Sequence, residues 1–95
     1  MKQPAFCTLT PDELRAQRER YVRVKQSVER VESSPGAVRV TFTPGFDAEV
    51  ARELVETERA CCSFLELDID DRTLTISTRD REQWDVIQGF AKVFA

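Results

Sequence analysis

Apolar residues recur along this chain with two different spacings, which predict where helices and strands lie. Steps of three and four residues are typical of a helix that buries one side, and strict alternation is typical of a half-buried strand. Residues 11–32 show the helical spacing, with Gln17 as the one polar interruption. The apolar positions of this stripe are Leu14, Tyr21, Val24, Val28 and Val31.

The first helix has a clear start and a clear stop in the sequence. Thr10 and Glu13 flank Pro11 in a capping-box pattern, in which the two side chains bond to backbone N–H groups at the helix start. The run Ser-Ser-Pro-Gly at residues 33–36 predicts its end. About 22 residues correspond to roughly 33 Å of helix, which is long for a small domain. We therefore expect a homodimer through the residue 11–32 helix, with packing inside a monomer as the alternative.

The later segments predict three strands and two more helices. Alternation predicts strands at residues 37–43, 65–70 and 73–78, and helical spacing predicts helices at about 48–62 and 81–94. The resulting fold class is α+β, a two-layer α-β-α-β-β-α arrangement whose three-stranded mixed sheet carries the helices on one face. The helix between the first two strands is a crossover connection, which is expected to be right-handed.

The whole chain, residues 1–95, is expected to form a single domain, in which residues 1–9 are an irregular N-terminal arm. A chain of this length buries one modest core. No run of about 18 apolar residues predicts a membrane span, and no apolar segment near the N-terminus predicts secretion. We therefore expect a cytoplasmic protein whose cysteines stay reduced.

The charge and the residue content exclude several kinds of site. The chain has no histidine, which excludes Cys-His and Ser-His-Asp catalysis as well as histidine-based metal sites. Its net charge of -3 argues against a surface built for nucleic acid. The basic residues of the first helix scatter around it, and they match a solvated helix better than a phosphate-binding stripe.

One carboxylate falls where the second helix should be apolar. Glu58 lies in a stripe of apolar residues, three and four positions before Cys61 and Cys62, so all three share one side of the helix. A buried charge is costly unless it is paired, hydrogen-bonded or neutralised, and such a local conflict tends to mark a functional site. The plain alternative is a structural anchor, in which Glu58 pairs with an arginine or accepts backbone N–H groups of the arm.

The three cysteines are the candidate metal ligands. If the arm folds over the end of the second helix, Cys7 meets Cys61 and Cys62, and three thiolates suit the soft ions Hg(II), As(III) and Cu(I). Zn(II) would want a fourth ligand, from Glu58 or from water. Adjacent cysteines in a regular helix project about 100° apart, so the doublet can hold one ion only where the helix unwinds.

Two other interpretations of the cysteines stay open. Free cysteine is often buried as a small hydrophobe, and the chain would then be a non-catalytic, dimeric interaction module. Thiol redox chemistry is the third interpretation, and the negative end of the helix dipole disfavours the thiolate that it needs. We therefore expect a protein that binds or senses an ion rather than an enzyme.

Residues 58–65 read E-R-A-C-C-S-F-L and, with the Cys-Thr-Leu at residues 7–9, resemble a family of small bacterial proteins marked by an E-x-x-C-C-x-F motif. Many members read C-C-P-F where this chain has Ser63, so a proline that would break the helix is missing here. Some members are associated with heavy-metal or mercury resistance, so the resemblance implies a thiol-based metal function. The matching positions are Cys7, Glu58, Cys61 and Cys62.

Overall fold

The computed structural model describes residues 10–61 and 64–95 of the chain, which form three α-helices and one four-stranded antiparallel sheet. The fold class is therefore α+β, as the residue pattern predicts. None of the helices in the described ranges is long and apolar enough to cross a membrane. In chain order the elements are α1 (Pro11–Lys25), β1 (Val28–Ser34), β2 (Ala37–Phe42), α2 (Ala48–Cys61), β3 (Glu66–Asp70), β4 (Thr73–Ser77) and α3 (Trp84–Phe94), the last preceded by a 3-10 turn at Arg81–Gln83.

The prediction of a three-stranded mixed sheet is wrong in the number and in the pairing of the strands. The sheet has the order β1-β2-β4-β3, and every neighbouring pair is antiparallel. Because β4 lies between β2 and β3, the two strands that α2 connects run parallel without being neighbours. The hairpin between β3 and β4 is as predicted, and Asp71 in its turn has a positive φ of 54°.

The first predicted helix, at residues 11–32, is too long. α1 ends at Lys25, and β1 follows it. The Ser-Ser-Pro-Gly run that predicts a helix stop instead closes the hairpin between β1 and β2, with Pro35 and Gly36 as its loop. No single helix therefore covers residues 11–32, so the predicted homodimer interface cannot be one helix over that range. Dimerisation itself stays a prediction.

A bulge in β1 explains why its sequence resembles that of a helix. The register with β2 shifts between Val28 and Arg30, so Val28 pairs with Phe42 and Val31 pairs with Val40. Both partners are fully buried, which means that both valines point to the core side of the sheet. Two inward residues three positions apart are typical of a helix, and the bulge produces the same spacing in a strand.

The starts of α1 and α2 are capped by side-chain hydrogen bonds, the first of them where the sequence predicts it. At α1, the Glu13 N–H donates to Thr10 Oγ1 at 3.2 Å and the Thr10 N–H donates to Glu13 Oε1 at 2.9 Å. At α2, the Val50 N–H donates to Asp47 Oδ1 at 3.2 Å. Asp80 caps the short 3-10 turn before α3. These bonds satisfy backbone donors that a helix start leaves without partners.

The core lies between one face of the sheet and the helices. Helices α2 and α3 contact this face, as predicted, whereas α1 packs mainly on α2. The opposite face of the sheet carries polar side chains. The fully buried side chains from the sheet are Val38, Val40, Phe42, Leu74 and Ile76, and those from the helices are Ala51, Leu54, Val55, Ile87 and Phe94.

The β1–β2 hairpin and α3 approach each other closely at Gly36. A Cβ atom on Gly36 would lie 3.0 Å from Nε1 of Trp84, at the start of α3. Gln88 of α3 also holds this hairpin, because its Nε2 donates to the Ser34 carbonyl at 2.7 Å and its Oε1 accepts from the Ser33 hydroxyl at 2.7 Å. Position 36 therefore has no room for a larger residue unless the indole ring moves.

The substitution Gly36→Ala is expected to lower the free energy of unfolding by about 1–2 kcal/mol, because the added methyl group must displace the indole. Gly45→Ala is the matched control: no described atom beyond its neighbours in the chain lies within 4 Å of the added Cβ, so the change should be neutral or slightly stabilising. Urea denaturation followed by the fluorescence of Trp84, the single tryptophan, measures both. Equal stability of the two variants would contradict the close approach.

Candidate functional site at the end of the second helix

The carboxylate of Glu58 is buried near the end of α2, as the sequence pattern predicts. The residue is 8% exposed. Its Oε2 accepts a hydrogen bond from Gln17 Nε2 at 3.0 Å and another from the Tyr21 hydroxyl at 2.9 Å. Both donors belong to α1 and neither is an arginine, whereas the backbone N–H groups of the arm, the other partner that the sequence suggests, lie outside the described residues. The last turn of α2 is therefore tied to the middle of α1.

Gln17 of α1 makes two hydrogen bonds to α2. It is 3% exposed, and its amide nitrogen donates both to Glu58 and to the backbone carbonyl of Leu54, the latter at 3.0 Å. Its amide oxygen accepts from Arg20 Nη1 at 2.8 Å. The polar interruption in the stripe of α1 and the acidic interruption in the stripe of α2 thus face each other. Gln17 supplies a hydrogen-bond donor and Glu58 an acceptor, so each buried polar group has a partner.

Arg20 joins this buried pair to the surface. Besides Gln17, its Nη1 donates to Thr57 Oγ1 at 3.3 Å, and its Nε lies 3.7 Å from Glu53 Oε1. Glu53 is half exposed, so the ion pair itself adds little stability. The described contacts of Arg20 connect it to Glu58 through the amide of Gln17.

Tyr21 extends the same contact region to the third helix. Its ring centroid lies 5.6 Å from that of Phe94 in α3, with the two planes tilted by 44°. Such a tilted arrangement is a favourable geometry for two aromatic rings. The hydroxyl of Tyr21 bonds to Glu58 while its ring packs on α3, so this one side chain contacts both of the other helices.

The connection from α2 to β3 is fixed on both sides of the cysteine doublet. Before the doublet, Arg59 donates from Nη2 and Nε to the Leu67 carbonyl of β3, at 2.6 and 3.2 Å. After it, the carbonyl of Phe64 accepts from the Thr78 hydroxyl at 3.1 Å. The described residues that flank the doublet are therefore bonded to the sheet as well as to α1.

The cysteine ligands fall largely outside the described part of the structure. Cys7 and Cys62 are not among the described residues, and Cys61 is described as the last residue of α2 without its side chain. Within residues 10–61 and 64–95, no group of three or more cysteine, aspartate and glutamate side chains is arranged to hold a metal ion. The proposed ligand set, which includes Glu58, therefore stays a prediction.

Comparison of the chain with models of protein families, with curated proteins and with solved structures found no match. The resemblance to the E-x-x-C-C-x-F family therefore stays a prediction as well. The functional argument rests on the geometry around Glu58. The partners in that geometry, Gln17, Arg20 and Tyr21, were missed from the sequence, although the polar interruption at Gln17 was the signal that could have found the first of them.

The buried contact predicts a specific pattern of stabilities. Gln17→Leu is expected to lower the free energy of unfolding by about 1–3 kcal/mol, because Glu58 and the Leu54 carbonyl lose a buried donor. Tyr21→Phe should cost about 1 kcal/mol, since it removes one bond and keeps the ring. The exposed Arg18 on the same helix is the control, and Arg18→Ala should change stability by less than about 0.5 kcal/mol.

A double-mutant cycle identifies the contact itself. Adding Glu58→Leu to Gln17→Leu should cost less than the sum of the two single changes, because both polar partners are then replaced by apolar groups. Chemical denaturation of the four proteins gives the coupling free energy. Strictly additive effects would mean that the two side chains do not interact.

Proposed function

We propose that this protein binds a soft metal or metalloid ion through the thiolates of Cys61 and Cys62, at the end of α2, with Cys7 as the third sulfur ligand. Hg(II), As(III) and Cu(I) are the ions that such a set of thiolates suits, and Zn(II) would need a fourth ligand. The proposed role is to hold or sense the ion rather than to transform a substrate.

The observation that carries the proposal is the fixed position of Glu58, about one turn before the doublet. Hydrogen bonds from Gln17 and Tyr21 hold this buried carboxylate and tie the end of α2 to α1. Metal ligands bind well when the groups behind them fix their direction, and a firmly held helix end does this for the doublet.

Glu58 is the support of this site rather than one of its ligands. Its Oε2 accepts two hydrogen bonds, at 2.9 and 3.0 Å. An ion bound to this oxygen would compete with both donors, and a buried amide or hydroxyl that loses its acceptor is costly. Soft ions also prefer thiolate sulfur to carboxylate oxygen. The cysteines therefore supply the bonds to the ion in this proposal, and the carboxylate fixes the last described turn of α2.

Titration of the reduced protein with Hg(II), arsenite and Zn(II) tests the proposal. We expect thiolate-to-metal charge-transfer absorption with Hg(II), and we expect Cys61→Ser and Cys62→Ser each to remove most of it. The competing interpretation is an interaction module with structural cysteines. It predicts that the thiols bind no ion, and that Cys61→Ala and Cys62→Ala only lower the free energy of unfolding, by about 1–2 kcal/mol each.

Two variants of Glu58 separate the support role from the ligand role. Glu58→Gln keeps an acceptor for Gln17 and Tyr21, so the affinity for Hg(II) in competition with a chelator should stay close to that of the wild type. Glu58→Leu removes the acceptor and should weaken binding by about tenfold, a cost typical of a lost partner behind the ligands. An equal loss in both variants would identify Glu58 as a ligand. Unchanged affinity in both would show that the helix end needs no support.

A further inference from the structure

The two edges of the sheet differ in how their backbone groups are satisfied. The edge strand β3 is covered in part by its own chain, because Arg59 donates two hydrogen bonds to the Leu67 carbonyl. The other edge strand, β1, has no strand on its outer side within residues 10–61 and 64–95. An open edge strand is a template for pairing with another strand, and proteins usually cover such edges.

The hydrogen bonds inside the sheet determine which groups of β1 face outward. The bond from the Phe42 N–H to the Arg72 carbonyl, at 2.8 Å, shows that the even-numbered residues of β2 bond to β4. Alternate residues of an antiparallel strand bond to opposite neighbours, so the odd-numbered residues of β2 bond to β1. Their partners there are the even-numbered residues from Arg30 onward. Val31 and Ser33 therefore direct their N–H and C=O groups away from the sheet.

We infer that the outer edge of β1 pairs with β1 of a second copy of this chain, in an antiparallel register centred on Val31. In that register Val31 lies opposite Val31 of the second copy as a hydrogen-bonded pair. The neighbouring position places Arg30 of each copy opposite Glu32 of the other. Both side chains lie on the polar face of the sheet, together with Arg39 and Thr41.

Charge complementarity is the reason to choose a second copy as the partner. Two-fold pairing repeats each contact, so the register brings two Arg30–Glu32 pairs together at directly opposite positions. Opposite charges at such positions are favourable and like charges are unfavourable. Moving the centre from Val31 to Glu32 would place Glu32 against itself, and moving it to Arg30 would place Arg30 against itself, so both registers bring like charges together. The sequence of β1 is therefore self-complementary in a register that its open backbone groups permit.

The core side of the same edge provides apolar surface for this contact. A groove of about 320 Å³ lies beside β1, and Val28, Val31 and Phe94 contribute its apolar walls. Val93, the residue before Phe94, is 44% exposed and is one of three large apolar residues that are exposed in the described part of the chain. A second copy placed against β1 would extend the sheet below this groove and reduce the exposure of its walls.

The inference relocates the expected homodimer from the first helix to the strand that follows it, and it does not depend on ion binding. The helix-spaced stripe includes Val28 and Val31, and these residues belong to the open edge. Gln17 and Val24, in contrast, are each 3% exposed and point into the chain's own core. Leu14, at the start of α1, is 39% exposed, so the strand is the part of the stripe that combines partial exposure with open backbone groups.

Analytical ultracentrifugation of the full chain with charge-swapped variants tests the register. We expect the wild type to dimerise, and Arg30→Glu and Glu32→Arg each to weaken the dimer by about tenfold or more, because two cross-strand pairs become repulsive. An equimolar mixture of the two variants should form a heterodimer, since every pair is then complementary. Asp68→Arg on β3 is the control, because it changes the net charge as Glu32→Arg does and should leave the dimer intact.

The outcomes that overturn the inference are distinct. A wild type that remains monomeric at every concentration leaves the edge to another partner or to another segment of the chain. A dimer that survives both single variants is formed by a different surface. Thermal unfolding followed by circular dichroism verifies that each variant is folded, and the recovery in the mixture shows that lost pairing, rather than lost folding, explains the single variants.

Discussion

The contact between Gln17 and Glu58 holds two helices together at a place where each would otherwise bury a polar group without a partner. The amide nitrogen of Gln17 donates to the carboxylate and to a carbonyl of α2, and its oxygen accepts from Arg20. Removing one partner of such a contact costs more than the contact contributes when both are present. The arrangement therefore fixes which turn of α1 lies on which turn of α2, and the apolar residues around it then pack in a single register.

The parts of the fold that could be predicted from the sequence are those set by local patterns. The start of α2, the cap at Thr10 and the β3–β4 hairpin follow from spacing and turn residues, and the structure agrees with them. The strand β1 was missed because its bulge sets Val28 and Val31 three residues apart. The position of β4 between β2 and β3 was not predictable either, because strand order depends on contacts between distant segments and not on local pattern.

In the candidate site, too, the features set by local pattern were predictable and the contacts between distant segments were not. The burial of Glu58 follows from its place in an apolar stripe, and the structure bears this out. Its partners lie about 40 positions away along the chain, at separations of 41 residues for Gln17 and 37 for Tyr21, and no local spacing indicates them. The cysteine cluster depends on an arm whose sequence carries no periodic pattern, so its meeting with the doublet stays a prediction.

The bond from Arg59 to the Leu67 carbonyl has a consequence for how large an assembly of this protein can grow. A sheet with two open edges can add copies in both directions without limit, as in a fibril. Here the margin formed by β3 is covered in part, because an arginine of the same chain bonds to one of its outward carbonyls. If two copies pair at the other margin, as we infer, the open strand of each molecule is used, and the partly covered β3 disfavours growth beyond a pair.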